Sequence, residues 1–406
     1  LITTRTPSAP RWSLLGPAFV AAVAYVDPGN IAANVSAGSQ FGFLLVWVIV
    51  VANVMAGLIQ YLSAKLGLVT GRSLPEAVRD RTGRRSRIAY WVQAELVAIA
   101  TDVAEIIGGA LALKLLFGLP LVLGGVITGA VSLVLLAIGD RRGQRMFERI
   151  ITGLLLVITI GFLASLVVNP PPAASVAGGL LPRFDGADSV LLATAMLGAT
   201  VMPHAVYLHS GLARDRHGHP PAGGRRIALL RATRWDVGIA MVVAGTVNLA
   251  LLLVAATNLR GVEGTDTIEG AHAAVGAALG PGVALFFAVG LLASGLASTS
   301  VGAYAGAMIM QGLLRRRFPV LVRRLVTLIP ALLVLASGVD PTKALVLSQV
   351  ILSFGIPFAL VPLVRLTANR NLMGTDANHA LTTLLAWSAA ALIIMLNLAL
   401  IVLTVR

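Results

Sequence analysis

The sequence predicts an all-α, polytopic membrane protein: eleven transmembrane helices, the first and sixth broken, in two inverted five-helix repeats with one helix left over. Three observations carry that prediction. Of the 406 residues, 57% are hydrophobic and only 12% charged, with mean hydropathy +0.89. A soluble domain carries about a quarter charged residues, so the polar shell such a domain needs is missing. Eleven apolar segments are each long enough to cross ~30 Å of hydrocarbon. Two of them carry a helix-breaking proline beside polar residues.

In order, the segments cover roughly 12–38, 43–69, 88–117, 119–138, 148–168, 188–211, 235–257, 278–311, 320–338, 342–364 and 381–404. The first is interrupted by Asp27-Pro28-Gly29-Asn30, and the third carries Glu95, Asp102 and Glu105. The sixth is interrupted by Met202-Pro203-His204. The seventh holds Asn248, expected to cap a neighbour or complete a metal shell. Small residues from Ser294 to Ser300 suit close packing of the eighth. The ninth begins near Arg323 and Arg324, and the tenth holds Gln349. Loops are short; the 7–8 loop, with Glu263, Asp266 and Glu269, is expected to be solvated. Five spans separate the two breaks, an odd number, so the second five enter from the opposite side of the membrane. The repeats then cover 1–170 and 171–370, with the extra helix in 371–406.

Net charge is +14, but its placement points to topology rather than to nucleic acid. All of the 31 lysines and arginines except Lys114, Arg183, Arg260, Lys343 and Arg406 fall on one side of the predicted layout. The positive-inside rule then puts the N-terminus in the cytoplasm and the C-terminus outside. Aromatic residues are not interleaved with those arginines, so no nucleic-acid partner is expected. The absence of cysteine excludes disulfides and thiolate metal sites. No His-Glu-x-x-His pair, Walker lysine loop or Gly-x-Ser-x-Gly elbow is present, so neither an enzyme nor a resident cofactor is expected.

A carboxylate in hydrocarbon is costly and normally faces a cavity or a partner, which makes Asp27 the leading candidate for an ion site. Asp27 and Asn30 supply hard oxygens, and a broken helix exposes carbonyls such as that of Ala24. Met202, beside the counterpart break, adds a thioether. That soft donor adds little for Mg²⁺ or Ca²⁺ and favours Mn²⁺, Fe²⁺ or Co²⁺. Glu95 and Asp102 share one stripe of the third helix, with Glu105 one turn beyond. With His204 and His209 they form a candidate proton relay, and Arg323 and Arg324 are placed to pair with one acid. An inert ion-pair network holding helices together is the bland alternative.

Asp-Pro-Gly-Asn with Met-Pro-His resembles the Nramp divalent metal transporters. The likeness extends to Glu95–Glu105, Asn248 and Ser348–Gly355, and so to essentially the whole chain. It implies a LeuT-like fold and proton-coupled import of Mn²⁺ or Fe²⁺ by alternating access. Carried over by position, Asp27, Asn30 and Met202 coordinate metal by side chain, Ala24 and Ala199 by carbonyl, and Gln349 joins when the outer gate closes. Asp102 takes the proton with Glu105 beyond it, while Glu95, His204 and Arg324 line the exit. The resemblance is to a bacterial member, so the expected setting is the plasma (inner) membrane, with lipid, metal and protons as partners and a monomer as the unit. The rivals are a sodium-coupled amino-acid carrier of the same fold, a metal-sensing receptor that does not transport, and a channel.

Overall fold

The computed structural model describes residues 16–142, 144–316 and 319–405. Arg5, Arg11, Arg317 and Arg406, used in the charge argument, lie outside the described residues. The described chain is helical within each predicted segment, residues 12–15 of the first lying outside the described residues, in the order α1 (Pro17–Val23), α2 (Pro28–Phe41), α3 (Val46–Thr70), α4 (Leu74–Arg79), α5 (Arg84–Phe117), α6 (Leu121–Arg142) and α7 (Gln144–Val168). The order continues with α8 (Ala173–Gly178), α9 (Gly186–Thr200), α10 (Pro203–His217), α11 (Gly224–Asn258), α12 (Ile268–Leu279) and α13 (Pro281–Leu314). It closes with α14 (Val320–Ala336), α15 (Pro341–Ala368), α16 (Arg370–Met373) and α17 (Ala380–Val405). Among the described residues, eight helical stretches are long and apolar enough to cross a membrane, and Pro17–Val26 and Leu121–Ala137 are apolar but shorter.

Both predicted breaks are present, and proline chemistry makes them. A 3-10 turn, Ala24–Val26, separates α1 from α2, and Pro28 occupies the first turn of α2, where its missing N–H costs nothing. Val201 and Met202 separate α9 from α10, which opens on Pro203. The N-terminal end of α1 is capped from a distance. Asp236 of α11 accepts the backbone N–H of Gly16 and of Ala18, each at 3.1 Å.

The broken pair lies inside a cage of long helices. α5 runs along α13, α2 along α11, and α9 against α15. Apolar lipid supplies no hydrophobic drive between helices, so close backbone approach and van der Waals contact hold such a bundle. Glycine permits that approach at Gly108, where a Cβ would run into the Pro28 ring.

One loop expectation needs correction. The 7–8 connection is not simply solvated, because it contains α12. Ile268, Ala271 and Val275 form a buried stripe at helical spacing, and the Thr267 hydroxyl caps the helix by accepting from Gly270 N at 3.1 Å. Three acids in the stretch concealed that apolar period. Glu269 faces Lys114 at 3.4 Å.

Candidate metal site and its charged network

Helix capping lays out the oxygens at the first break. Asp27 is the N-cap of α2, with extended backbone at φ −78° and ψ 169°. Its Oδ1 accepts from Asn30 N at 2.7 Å and from Asn30 Nδ2 at 3.0 Å. An aspartate N-cap is ordinary; one with 0% exposure among membrane-crossing helices is not. Both donors from Asn30 go to Oδ1, so Oδ2 keeps only a long contact from Gln349 Nε2 at 3.4 Å.

Asn30 joins the two breaks. Its Nδ2 also donates to the Ala199 carbonyl, 2.8 Å away across the pair. Prolines prepare the carbonyls on both sides. Pro28 and Pro203 stand four residues after Ala24 and Ala199, and neither has an N–H to return to those oxygens. The next two carbonyls are already engaged: Asn248 Nδ2 donates to Tyr25 O at 2.7 Å and Ser294 Oγ to Val26 O at 2.5 Å. Asn34 in turn donates to Asn248 Oδ1 at 3.0 Å.

Asp27, Asn30, Ala199, Met202 and Gln349 are all fully buried, and Ala24 nearly so. Asn30 Oδ1 and Gln349 Oε1 are buried acceptors with no donor. Buried polar atoms are nearly always paired, so orphaned acceptors beside a carboxylate mark a place suited to a cation. Met202 is the N-cap of α10 and makes no side-chain capping bond. Carboxylate, amide oxygens, main-chain carbonyls and one thioether suit a borderline divalent transition metal. No cluster of three or more His, Cys, Asp or Glu that could hold a metal occurs among the described residues, because the donors here are mixed. Gly29 completes the site, since a Cβ there would overlap the Gln349 amide.

Two of the three acids of α5, Asp102 and Glu95, are paired with α14. Arg324 Nη1 meets Asp102 Oδ1 at 2.6 Å with both side chains buried, and Arg324 Nε donates to Ser132 Oγ at 3.2 Å. Asp102 Oδ2 and Arg324 Nη2 stay without partners. Glu105, one turn on, is fully buried with both oxygens unpaired. Glu105 lies one turn of α5 beyond Asp102, on the same helix face, and a Cβ at Gly302 of α13 would approach its carboxylate to 3.0 Å. Further along, Arg323 Nη2 meets Glu95 Oε1 at 2.7 Å. His204 reaches this line, its Nδ1 3.5 Å from Thr101 Oγ1. His209 joins a different group: its Nδ1 is 2.7 Å from Gln60 Oε1, and Gln60 Nε2 donates to the Tyr25 hydroxyl.

Sequence reasoning assigned Ser294 to packing alone and passed over Gln60, Ser132 and Thr101. Nothing local distinguishes those polar residues from the common run of small polar residues in membrane helices. The four-residue step from Ala24 to Pro28 and from Ala199 to Pro203 was there to be read.

A family model, Natural resistance-associated macrophage protein-like (Nramp), matches residues 18–403. The chain is 68% identical over 402 residues to the divalent metal cation transporter MntH of Mycobacterium tuberculosis strain H37Rv, covering 99% of this chain and 94% of the relative. The crystal structure of the Eremococcus coleocola manganese transporter in complex with an aromatic bis-isothiourea substituted compound superposes with TM-score 0.87 at 31% identity, over 98% of this chain and 88% of that one. Mhp1, a nucleobase-cation-symport-1 family transporter in a closed conformation with bromovinylhydantoin bound, superposes with TM-score 0.63 at 18% identity, over 95% and 92% of the two chains, and shares the fold alone. The chain therefore belongs to the Nramp family and has a LeuT-like fold.

Proposed function

We propose that this protein imports divalent transition-metal ions, Mn²⁺ first and Fe²⁺ next, coupled to protons and by alternating access. The observation that carries the reading is the joined break: Asp27, fully buried, is tied through Asn30 to the carbonyl of Ala199, with two orphaned oxygens beside it. The named activities of the relatives, divalent cation and manganese transport, fit that donor set.

In this reading Asp27, Asn30 and Met202 bind the ion with the carbonyls of Ala24 and Ala199, and Gln349 closes over it from α15. Glu105 and Asp102 carry the proton, and Glu95, His204 and Arg324 line its way out. His209 acts apart from that route, through Gln60 and Tyr25. The two five-helix repeats cross in opposite senses, the eleventh helix stands outside them, and the N-terminus is cytoplasmic in a bacterial plasma membrane. A monomer suffices, since both breaks come from one chain. A negative-inside potential favours entry of a divalent ion by roughly 4.6 kcal/mol per 100 mV.

The test is uptake of Mn²⁺ into proteoliposomes holding a pH-sensitive dye. Saturable uptake with internal acidification, lost in Asp27→Ala, is expected. Binding without flux would leave a receptor, and uptake unchanged in Asp27→Ala would remove the site.

A further inference from the structure

A charged cavity outside the metal path opens between the start of α5 and the end of α13. It has a volume of about 420 Å³ and is lined by Arg84, Arg87 and Trp91 on one side and Leu313, Leu314 and Arg316 on the other. No acidic residue lines it among the described residues. Positions 84, 87, 88 and 91 share one face of α5, so the arginines and the indole point the same way from one helix. Ile88 adds an apolar, 43% exposed surface to that face.

Three features set this cleft apart from arginines that merely reach toward headgroups. None of Arg84, Arg87 and Arg316 has an ion-pair partner among the described residues, a condition shared by Arg85, Arg225 and Arg231 on the same basic side, but only these three converge on one cleft. Arg87 Nε and Trp91 Nε1 are hidden from solvent with no acceptor. Desolvated donors without acceptors are rare in folded proteins. Arg84 and Arg87 also occupy the first turn of α5, whose N-cap Gly83 supplies no side-chain bond. Cations are disfavoured at that end of a helix, and an anion is favoured. Arg315 ends α13 in the left-handed region at φ 56°, and Arg316 follows directly into the cleft.

We infer that this cleft binds a phosphate group, clamped by the guanidinium groups of Arg84, Arg87 and Arg316 with the Trp91 indole N–H as a further donor. Guanidinium matches phosphate geometry with two parallel bonds. The apolar side chains of Ile88, Leu313 and Leu314 suit the glycerol and first methylenes of an anionic phospholipid, and inorganic phosphate shares the same headgroup chemistry. The site lies at the basic end of the molecule and touches no residue of the metal site or of the Asp102–Arg324 line.

The experiment uses the full chain, stripped of lipid in a non-ionic detergent. Phosphatidylglycerol, phosphatidylcholine and inorganic phosphate are titrated in separate arms, with bound lipid counted by native mass spectrometry and phosphate binding by calorimetry. Arg84→Ala/Arg87→Ala/Arg316→Ala should weaken the tightest binding event on the order of tenfold or more, as expected for loss of charge-assisted bonds. A control removing equal charge elsewhere on the basic face, Arg85→Ala/Arg225→Ala/Arg231→Ala, should leave that event unchanged. Trp91→Phe, which keeps the ring, should weaken it by a smaller factor. Mn²⁺ binding should persist in every variant, which reports on folding. Saturable phosphatidylglycerol binding that ignores inorganic phosphate identifies a lipid site, and displacement by inorganic phosphate identifies a soluble one. Equal losses in the cleft and control triples, or no saturable binding of any probe, would overturn the inference.

Discussion

Removing the Asp102 carboxylate separates an ion-pair strut from a working proton group. In Asp102→Ala, Arg324 is left as a buried cation with its opposite charge gone. Breaking a buried pair from one side costs about 3–5 kcal/mol, because the remaining charge is uncompensated. Two features here put the expected cost at the lower end. Arg324 keeps its hydrogen bond to Ser132, and Glu105, one turn away with both oxygens free, takes up part of the lost charge. About 3 kcal/mol, or roughly a hundredfold in the unfolding constant, is the expected loss. Replacing both partners with apolar residues, Asp102→Leu/Arg324→Met, should recover most of it, since a buried pair exchanged for packing is often neutral. The assay is reversible unfolding in mixed micelles, run beside metal-driven acidification of liposomes. The recovered double variant should still move no protons with Mn²⁺. A double variant as unstable as the single would refute the energetic argument, and one that regains proton movement would reduce the pair to a structural strut.

Three further outcomes are expected. Met202→Ala should keep Mn²⁺ transport while Ca²⁺ and Mg²⁺ compete roughly tenfold better in uptake assays, because the soft donor that disfavours them is gone; an unchanged competition profile would contradict the role of the thioether. Gly108→Ala should drive a Cβ into the Pro28 ring and cost about 1–3 kcal/mol, with weaker Mn²⁺ binding by calorimetry, because the neighbouring backbone must move. Asp236→Ala removes the cap on α1 and should cost about 0.5–2 kcal/mol while widening the distance distribution between spin labels on α1 and α11.

Much of this architecture was legible because lipid leaves the chain few choices. Hydropathy located every long helix, and Pro28 and Pro203, each beside polar residues, located both interruptions, whereas Pro330, Pro357 and Pro362, in apolar surroundings, sit inside continuous helices. The site residues were legible for a related reason: an aspartate or a histidine stands out in an apolar run. The supports were not. Ser294, Gln60 and Ser132 act through contacts between helices far apart in the chain, at separations of 268, 35 and 192 residues, and no local pattern encodes such distances. His209 looked like a partner of the α5 acids because it shares a helix with His204. Five residues turn a helix through well over one full circle, which aims the two rings at different neighbours, α5 for one and α3 for the other. The stripe in α12 was missed because three acids masked a short apolar period.

The most direct measurement is an anomalous difference map at the manganese edge, from crystals of the protein soaked in Mn²⁺. A single strong peak within coordinating distance of the Asp27 carboxylate, the Asn30 amide oxygen and the Met202 sulfur is the predicted result. A peak bound elsewhere, with these three side chains left unliganded, would contradict the claim that the two broken helices hold the ion between them.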